Sequence, residues 1–203
     1  VRLGLMGHPG SGKDTVANIL AQTPRHARLA FADPLREEVA SAFGMLPEEF
    51  VILPKEEPNE HLSLHLSRNV EYVGCLLNSE VCYRDPDPSS FVNRPRSPRW
   101  HLRYYATEYR RTHYGKRYWI NKAENTINKL EQRSPLSICV TDVRFFDEIA
   151  FLKEAGFLLV RVDRPSALPM NNHASEAEWP TVTPDILLDN SKGLLELDRH
   201  VSW

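Results

Sequence analysis

Short apolar runs alternate with helix-patterned segments along most of the chain. The apolar runs have the length of buried strands and lie at 1–6, 27–32, 136–142 and 157–162. Apolar residues recur at helical spacing in 16–21, 35–43, 121–132, 148–155 and 194–201. Because strands that alternate with helices build parallel sheets, this order predicts an α/β fold in which helices flank a parallel sheet.

The first apolar run leads into a glycine-rich turn, Gly7-His8-Pro9-Gly10-Ser11-Gly12-Lys13-Asp14-Thr15, and then into a helix. This strand, turn and helix order is the context in which a G-x-x-x-x-G-K motif binds phosphate. Glycines allow positive φ angles that bring backbone N–H groups around phosphate oxygens, and the helix points its positive end at them. Lys13 is then placed to bridge the β- and γ-phosphates of a nucleotide. The expected nucleotide-binding residues are Gly10, Ser11, Gly12, Lys13, Asp14 and Thr15.

The residue after the lysine departs from the usual phosphate-binding motif. A serine or threonine normally follows the lysine, whereas this chain has Asp14, and the hydroxyl comes one position later at Thr15. A second carboxylate, Asp142, ends the apolar run 136–142, as in the element that holds Mg²⁺ beside such a loop. A simple helix N-cap is the alternative role for Asp142. The candidate magnesium ligands, directly or through water, are Thr15, Asp14 and Asp142.

A segment in the middle of the chain interleaves arginine and aromatic side chains. Between 94 and 119, Glu108 is the only acidic residue. Guanidinium groups suit phosphate charge and aromatic rings suit a nucleobase, so the segment is typical of an arginine-lined nucleotide site with a lid. It also fits a track for single-stranded nucleic acid, or an amphipathic helix with a solvated basic face. These three interpretations stay open.

Three other stretches carry weaker signals. Asp33 is the predicted N-cap of a helix whose first turn holds Arg36, at the strand end where α/β sheets bind ligands, and a surface ion pair is the alternative for Arg36. His61 and His65 lie four residues apart, which favours a solvated helix face because no third metal ligand is evident. Proline and serine punctuate 84–99, which predicts a functional loop such as a lid.

Composition places the chain among ordinary globular proteins. Of its 203 residues, 41% are hydrophobic and 26% are charged, and the formal net charge of −2 argues against a general nucleic-acid binder. No apolar run approaches the about 20 residues that span a bilayer and no leader precedes the first strand, so a cytoplasmic protein is expected. The three cysteines lack metal-ligand spacing, which indicates reduced thiols.

Several motifs resemble those of the phage-type deoxynucleoside monophosphate kinases, which are P-loop relatives of adenylate kinase. Besides the loop, the clearest matches are Phe31-Ala32-Asp33-Pro34-Leu35-Arg36 and Thr141-Asp142-Val143-Arg144-Phe145 with Asp147-Glu148. Further matches lie at 97–99, 106–108, 111, 115–119, 173–176 and in a last strand at 185–190. The resemblance therefore covers essentially the whole chain.

The resemblance implies one P-loop NTPase domain, 1–203, in which about 46–125 form an inserted helical segment that binds the acceptor or acts as a lid. It implies transfer of the γ-phosphoryl group of ATP, with Mg²⁺, to a deoxynucleoside monophosphate, giving the diphosphate. The residues expected to act in catalysis are Lys13, Arg111, Asp142 and Arg144. Those expected to bind the acceptor are Arg36, Arg99, Glu108, Arg110, Trp119 and Glu176.

Other interpretations stay open. Some phage kinases that resemble this group phosphorylate a hydroxymethylated pyrimidine, such as 5-hydroxymethyluracil, within DNA, and the segment 94–119 would suit a flipped base. A nucleotide-binding switch is a third possibility, although arginines beyond the loop favour a transferase. For Arg144 the alternative is a helix-start arginine paired with Asp147 or Glu148. Whether the acceptor is free or in DNA, and whether the protein forms a homodimer, does not follow from the sequence.

Overall fold

Residues 1–22, 25–133, 137–167 and 178–201 are described by a computed structural model. The chain divides into two units, unit 1 (Val1–Phe31 and Ile120–Trp203) and unit 2 (Ala32–Trp119). The insertion expected at about 46–125 stays a prediction, and most of that range belongs to unit 2.

Unit 1 is built on a five-stranded sheet. Its strands are β1 (Arg2–Met6), β2 (His26–Leu29), β3 (Ser137–Val140), β4 (Leu158–Asp163) and β5 (Ile186–Asp189). They lie in the order β2-β3-β1-β4-β5, and every pairing is parallel. β1 is thus the central strand, and Gly4 within it pairs with Val140 on one side and Leu159 on the other. The predicted α/β fold with a parallel sheet is confirmed.

Helices pack on both faces of this sheet because successive side chains of a strand point to opposite faces. The helices of unit 1 are α1 (Lys13–Ala21), α8 (Tyr118–Arg133), α9 (Phe146–Glu154) and α10 (Leu194–Val201). Of α8, the part that begins at Ile120 belongs to this unit. A 3₁₀ turn occupies Trp179–Thr181. Leu5 belongs to a buried cluster with residues of α1 and α10, whereas its neighbour Met6 belongs to a cluster with residues of α8 and α9. Unit 1 therefore has an apolar core on each side of the sheet.

Unit 2 is helical and has a core of its own. Its helices are α2 (Ala32–Ala42), α3 (Pro47–Val51), α4 (Val70–Leu77), α5 (Glu80–Tyr83), α6 (Pro98–Tyr104) and α7 (Thr112–Tyr114). A π-helical segment, Tyr105–Arg111, joins α6 to α7. Short 3₁₀ turns lie at Glu60–Leu62, Leu64–Leu66 and Pro88–Ser90. Tyr72, Leu76 and Phe91 are fully buried at the centre of its core.

Two local predictions in unit 2 are wrong in detail. α2 begins at Ala32, so Asp33 lies in the first helical turn rather than at the N-cap. His61 and His65 do not share a helix face, because each lies in a separate 3₁₀ turn with extended backbone at Ser63 between them. Both histidines are exposed, so their predicted solvent exposure is confirmed.

The proline-rich stretch 84–99 is an ordered loop anchored by a buried carboxylate. The Asp85 side chain is 6% exposed and accepts hydrogen bonds from Arg94 and Arg96, with Nη1–Oδ2 and Nη2–Oδ2 distances of 3.1 Å each. Phe91 in the same loop is fully buried. These contacts tie the loop into the core of unit 2, and its action as a lid stays a prediction.

The three cysteines are free thiols, as predicted. In the parts of the chain that the structure describes, no helix combines the length and the hydrophobicity needed to cross a membrane.

Candidate active site

The glycine-rich loop leaves the carboxyl end of the central strand and enters α1. Its glycines have positive φ angles, which are 147° at Gly7, 78° at Gly10 and 105° at Gly12. A Cβ atom at Gly7 would lie 2.6 Å from the carbonyl oxygen of Val162, so only glycine fits there. The N–H of Ser11 donates to the carbonyl of His8 at 3.0 Å and closes the turn. The strand, the glycine-rich turn and the helix therefore follow one another in the predicted order, and phosphate binding by the loop stays a prediction.

Lys13 reaches back across this loop. Its Nζ donates to the carbonyl oxygens of Gly7 at 2.7 Å and His8 at 2.8 Å. The first intrahelical bond of α1 runs from Val16 N–H to the Gly12 carbonyl, at 2.9 Å. The N–H groups of the first helical turn precede that bond and have no intrahelical acceptor. One ammonium group and a set of helix-start amides thus surround the same loop, which is an arrangement that attracts a polyanion.

Two side chains from distant parts of unit 1 hold the outer side of the loop. Asn190, directly after β5, donates from Nδ2 to the carbonyl oxygen of Ser11 at 2.8 Å. Arg164, directly after β4, donates from Nη1 to the carbonyl oxygen of Gly10 at 3.4 Å. Neither residue was predicted from the sequence to belong to the site. Both follow apolar strands, at the edge where parallel strands place ligand-binding residues, and Asn190 ends the strand 185–190 that resembles the family's last strand.

Asp14 occupies an ion pair at the start of α1. Its Oδ1 accepts a hydrogen bond from Arg28 Nη2 of β2 at 2.6 Å, and the Asp14 side chain is 73% exposed. Arg28 is, after Asn190 and Arg164, the third residue near the loop that was not predicted from the sequence. Asp14 as a magnesium ligand stays a prediction, and the pair with Arg28 already neutralises its charge.

Asp142 links two neighbouring strand ends. Its Oδ1 accepts a hydrogen bond from the backbone N–H of Phe31 at 2.7 Å, while the Thr141 N–H donates to the Leu29 carbonyl at 3.0 Å. The N-cap of the following helix, α9, is Phe145. Asp142 therefore does not cap α9, and the N-cap alternative for it is wrong. It lies at the same carboxyl edge of the sheet from which the glycine-rich loop emerges.

Glu148 is a buried carboxyl group that fixes the turn carrying Arg144. Glu148 is 5% exposed, and its Oε2 accepts hydrogen bonds from the backbone N–H groups of Arg144 at 2.9 Å and Phe145 at 3.1 Å. Burial, and then the negative charge of Asp142, raise the pKa of Glu148 to about 8, although the two backbone N–H groups oppose this shift. Sequence analysis considered Glu148 only as an ion-pair partner of Arg144. The contact it makes instead is to the Arg144 backbone.

In unit 2, two candidate acceptor arginines are engaged in ion pairs. Arg36 donates from Nη1 to Asp33 Oδ1 at 2.8 Å within the first turns of α2, which is the surface pair considered as its alternative role. Arg99, in α6, pairs with Glu56. Both guanidinium groups are at least one-third exposed, so phosphate binding by either would exchange one anionic partner for another.

Arg110 lies inside a group of four tyrosines, which we call the tyrosine box. Its guanidinium carbon is 4.6–5.3 Å from the four ring centroids, which belong to Tyr105, Tyr109, Tyr114 and Tyr118. Arg110 Nε donates to Glu38 Oε2 at 2.7 Å, and both side chains are 16% exposed. Glu38 also accepts from the Tyr118 hydroxyl at 2.6 Å.

A second carboxylate, that of Glu71, binds two hydroxyl groups of the tyrosine box. Glu71 Oε2 accepts hydrogen bonds from the hydroxyls of Tyr109 at 2.7 Å and Tyr114 at 2.9 Å. These two hydrogen bonds lower the pKa of Glu71. Burial, and then the bond to Glu71, raise the pKa of Tyr109, so its hydroxyl remains a donor at neutral pH. Several aromatic rings of the basic segment therefore pack around an arginine of the same segment.

Two open pockets lie within unit 2. The first has a volume of about 640 Å³, and its charged and amide-bearing lining residues are Glu37, Glu38, Arg68, Asn69, Glu71 and Arg110. The second has a volume of about 580 Å³ and is lined by Glu108, Arg84 and Arg96, among others. Arg110 and Glu108 thus border different pockets, although both were predicted to bind the acceptor.

Trp119 and Arg111, two further predicted site residues, lie in unit 2. Trp119 is 5% exposed, and its Nε1 donates to the Ala106 carbonyl at 3.3 Å. This location favours a packing role over the predicted stacking on a nucleobase. Arg111 is half-buried at the end of the π-helical segment. Glu176 and the motif 173–176 that contains it lie outside the described residues.

Among the described residues, the candidate metal ligands are not part of a cluster of three or more histidine, cysteine or carboxylate side chains. In the described ranges, no three or more histidine, cysteine, aspartate or glutamate side chains converge as they would around a metal ion. Thr15 is half-buried in the first turn of α1. A magnesium ion that arrives with a nucleotide takes most of its ligands from phosphate and water, so Thr15, Asp14 and Asp142 stay the predicted protein contribution.

Comparison with known proteins extends these observations. No family model matches the chain. A protein of Acanthamoeba polyphaga mimivirus named "Putative deoxynucleotide monophosphate kinase" is 27% identical over 205 aligned positions, which cover 99% of this chain and 94% of that protein. The similarity supports a nucleotide kinase. It also extends over both units, so it is not confined to the glycine-rich loop.

Proposed function

We propose that the protein transfers the γ-phosphoryl group of ATP to a deoxynucleoside monophosphate and releases the diphosphate. The observation that carries this proposal is the loop Gly7 to Lys13, with its positive-φ glycines, its lysine ammonium and the start of α1 at the end of the central strand. The name of the mimivirus relative, which aligns along nearly the whole chain, supports a deoxynucleotide as the acceptor.

The residues proposed to bind the donor belong to unit 1. A Cβ at Gly10 would meet no atom of the described residues within 4 Å, so they leave space at the tip of the loop. The Ser11 hydroxyl is buried and has no hydrogen-bond partner among the described residues, which leaves one polar group of the loop to be satisfied on ligand binding. In the proposed complex, Lys13 exchanges its bonds to the loop carbonyls for phosphate oxygens.

Magnesium is part of the proposal. When bound, it neutralises charge on the β- and γ-phosphate oxygens. Thr15 and Asp142 are the residues proposed to hold it, directly or through water. Asp14 contributes only if its pair with Arg28 opens.

Arginines are proposed to orient the reacting phosphates. Arg144 follows β3, and the Glu148 carboxyl accepts a hydrogen bond from its backbone N–H, which fixes the turn that carries it at the carboxyl edge of the sheet. Arg111 is proposed as a second contact to the transferred group. Phosphoryl transfer needs little proton chemistry, so positioning and charge neutralisation can supply most of the rate enhancement.

Apart from Glu176, the residues proposed to bind the acceptor belong to unit 2. The first pocket combines carboxylates that can accept from base or sugar donors with Arg68 and Arg110, whose charge suits a monophosphate. Arg36 and Arg99 would contribute if the acceptor phosphate replaces their present carboxylate partners. Trp119 and Glu176 stay predicted acceptor contacts.

The proposal is tested by a transfer assay with γ-labelled ATP and Mg²⁺. Free deoxynucleoside monophosphates, including 5-hydroxymethylated pyrimidine nucleotides, are compared with DNA that contains 5-hydroxymethyluracil. We expect label in a free deoxynucleoside diphosphate. Label found only in DNA would replace the proposed acceptor, and release of labelled phosphate without transfer would indicate a nucleotide-binding switch instead.

In the same assay, Lys13→Ala is expected to lower transfer by about 100-fold or more, because the loop then lacks its only side-chain cation at the β- and γ-phosphates. Lys129→Ala is the matched control, since Lys129 is exposed on α8. Circular dichroism verifies that both variants fold. Equal turnover in the two variants would remove the loop from the mechanism.

A further inference from the structure

Asn190 connects the last strand of the sheet to the glycine-rich loop. Its backbone N–H donates to the Asp163 carbonyl at 2.8 Å, which fixes it at the end of β4 and β5. Its side-chain Nδ2 donates to the Ser11 carbonyl, also at 2.8 Å. Asn190 is 7% exposed, so this second bond is shielded from water. A buried polar side chain of this kind therefore joins two points that lie 179 residues apart in sequence.

The Asn190 amide also packs directly against the loop backbone. A Cβ atom at Gly12 would lie 2.5 Å from Asn190 Nδ2 and 3.8 Å from a methyl group of Leu197. The side chain thus fills the space that any residue other than glycine would need at position 12. The Asn190 amide therefore contacts the Ser11–Gly12 peptide in two places. It donates to the carbonyl oxygen of Ser11, and it lies close to the α-carbon of Gly12.

This contact sets the direction of one backbone donor. The peptide unit is planar and trans, so its C=O and N–H groups point in opposite directions. Because the Ser11 carbonyl points at Asn190, the Gly12 N–H points away from β5. A side chain that anchors this carbonyl therefore determines which side of the loop receives the Gly12 N–H.

We infer that Asn190 is a positioning residue of the donor site, which holds the Ser11–Gly12 peptide so that the Gly12 N–H is presented to the nucleotide phosphates. The inference rests on the proposed binding of ATP by the loop. Asparagine suits this role because its amide nitrogen is a neutral donor that reaches the Ser11 carbonyl oxygen. An aspartate of the same shape would face that oxygen with a negative charge and would also repel the phosphates.

The test compares Asn190→Asp, Asn190→Ser and the control Asn128→Asp, whose asparagine is exposed on α8 in the same unit. Calorimetry measures the affinity for Mg²⁺ with a non-hydrolysable ATP analogue, and steady-state assays measure the KM values for ATP and for the monophosphate. Loss of one buried hydrogen bond is worth about tenfold in affinity. We therefore expect at least tenfold weaker analogue binding in Asn190→Asp, a smaller loss in Asn190→Ser, and an unchanged monophosphate KM in both.

Several outcomes would overturn the inference. Unchanged analogue affinity in both Asn190 variants would do so, as would an equal rise of both KM values together with a lower Tm, because that pattern indicates general destabilisation. If Asn190→Asp does not fold, Asn190→Ser and its analogue-induced rise in Tm decide the question. A wild-type protein that binds the analogue but transfers no phosphate would contradict the proposed function while leaving the role of Asn190 testable by affinity. A wild-type protein that does not bind the analogue would contradict both.

Discussion

Arg110 is surrounded by side chains of its own unit. Four tyrosine rings surround it, and Glu38 accepts from its Nε at 2.7 Å. A guanidinium group stacks well on aromatic faces because it is planar and weakly hydrated. Such a residue can line the first pocket and support the core of unit 2 at the same time.

Arg110→Ala should therefore destabilise the protein. The substitution leaves the Glu38 carboxylate largely buried without its cation, a change that typically costs about 3 kcal/mol or more in the free energy of unfolding. Urea unfolding measures the difference, and Arg117→Ala is the control because Arg117 is exposed. Normal stability combined with a large rise in the acceptor KM would assign Arg110 to substrate binding alone, as the sequence predicts.

At the scale of single residues, sequence motifs located the loop but not the groups that support it. Gly10 and Gly12 have the expected positive φ angles because a local motif specifies them, whereas Lys13 contacts loop carbonyls and its role at phosphates stays a prediction. The resemblance covers the strand 185–190, but the contacts of Asn190 and Arg28 with the loop and α1 could not be predicted, because these partners become neighbours only through the order of the strands. The burial of Trp119 in the core could not be predicted either, because an indole side chain is equally suited to a core and to stacking on a base.

At the scale of elements, the strands and helices of unit 1 follow their sequence pattern closely. β1 and α10 lie at Arg2–Met6 and Leu194–Val201, against predictions of 1–6 and 194–201. The periodicity of apolar residues depends only on the local sequence, and it is enough to locate these strands and helices. The segment Tyr105–Arg111 differs, because a π-helical turn contains one more residue than an α-helical turn and its sequence looks like ordinary helix.

The loop element gives a further prediction. Gly12→Ala places a methyl group 2.5 Å from Asn190 Nδ2 at a φ of 105°, so it combines backbone strain with loss of the Asn190 contact. Gly156→Ala is a matched control, because Gly156 also has a positive φ, 76°, but its added Cβ would meet no atom within 4 Å. Strain alone costs about 1–2 kcal/mol in either variant.

Calorimetric binding of an ATP analogue distinguishes the two glycine variants. Both should unfold at a lower temperature than wild type, but only Gly12→Ala should lose at least tenfold in analogue affinity. Similar affinities in the two variants would indicate that the loop tolerates displacement of its Ser11–Gly12 peptide.

At the scale of the whole molecule, stability is distributed over separate cores. Unit 1 has two apolar clusters, one on each face of its sheet, and unit 2 has a third. His101 is fully buried in the third core, where its Nε2 donates to the Leu62 carbonyl at 2.7 Å and its Nδ1 lies 3.0 Å from the Tyr72 hydroxyl. Burial lowers the pKa of His101 to about 4.

This histidine predicts an acid-sensitive stability. The unfolded chain binds a proton at His101 near pH 6.5, whereas the folded protein does so only near pH 4, so protonation favours unfolding between these values. The free energy of unfolding should fall as the pH decreases through this range, by about 2 kcal/mol at pH 5 from this group. His101→Gln should lack this part of the decline, and His61→Gln, at an exposed position, should retain it. Parallel pH profiles for all three proteins in urea unfolding would contradict the assignment.

The central position of β1 has a consequence for how the chain folds during synthesis. Met6 pairs with Arg161 of β4, and Arg2 pairs with Ile138 of β3. The ribosome therefore releases β1 long before either neighbouring strand exists, and at about 5–20 residues per second the delay is on the order of ten seconds. All of unit 2 is synthesised in that interval. An apolar strand that waits this long for its partners exposes aggregation-prone surface during synthesis, and the glycine-rich loop attached to it gains its sheet neighbours only after β3 and β4 have been made.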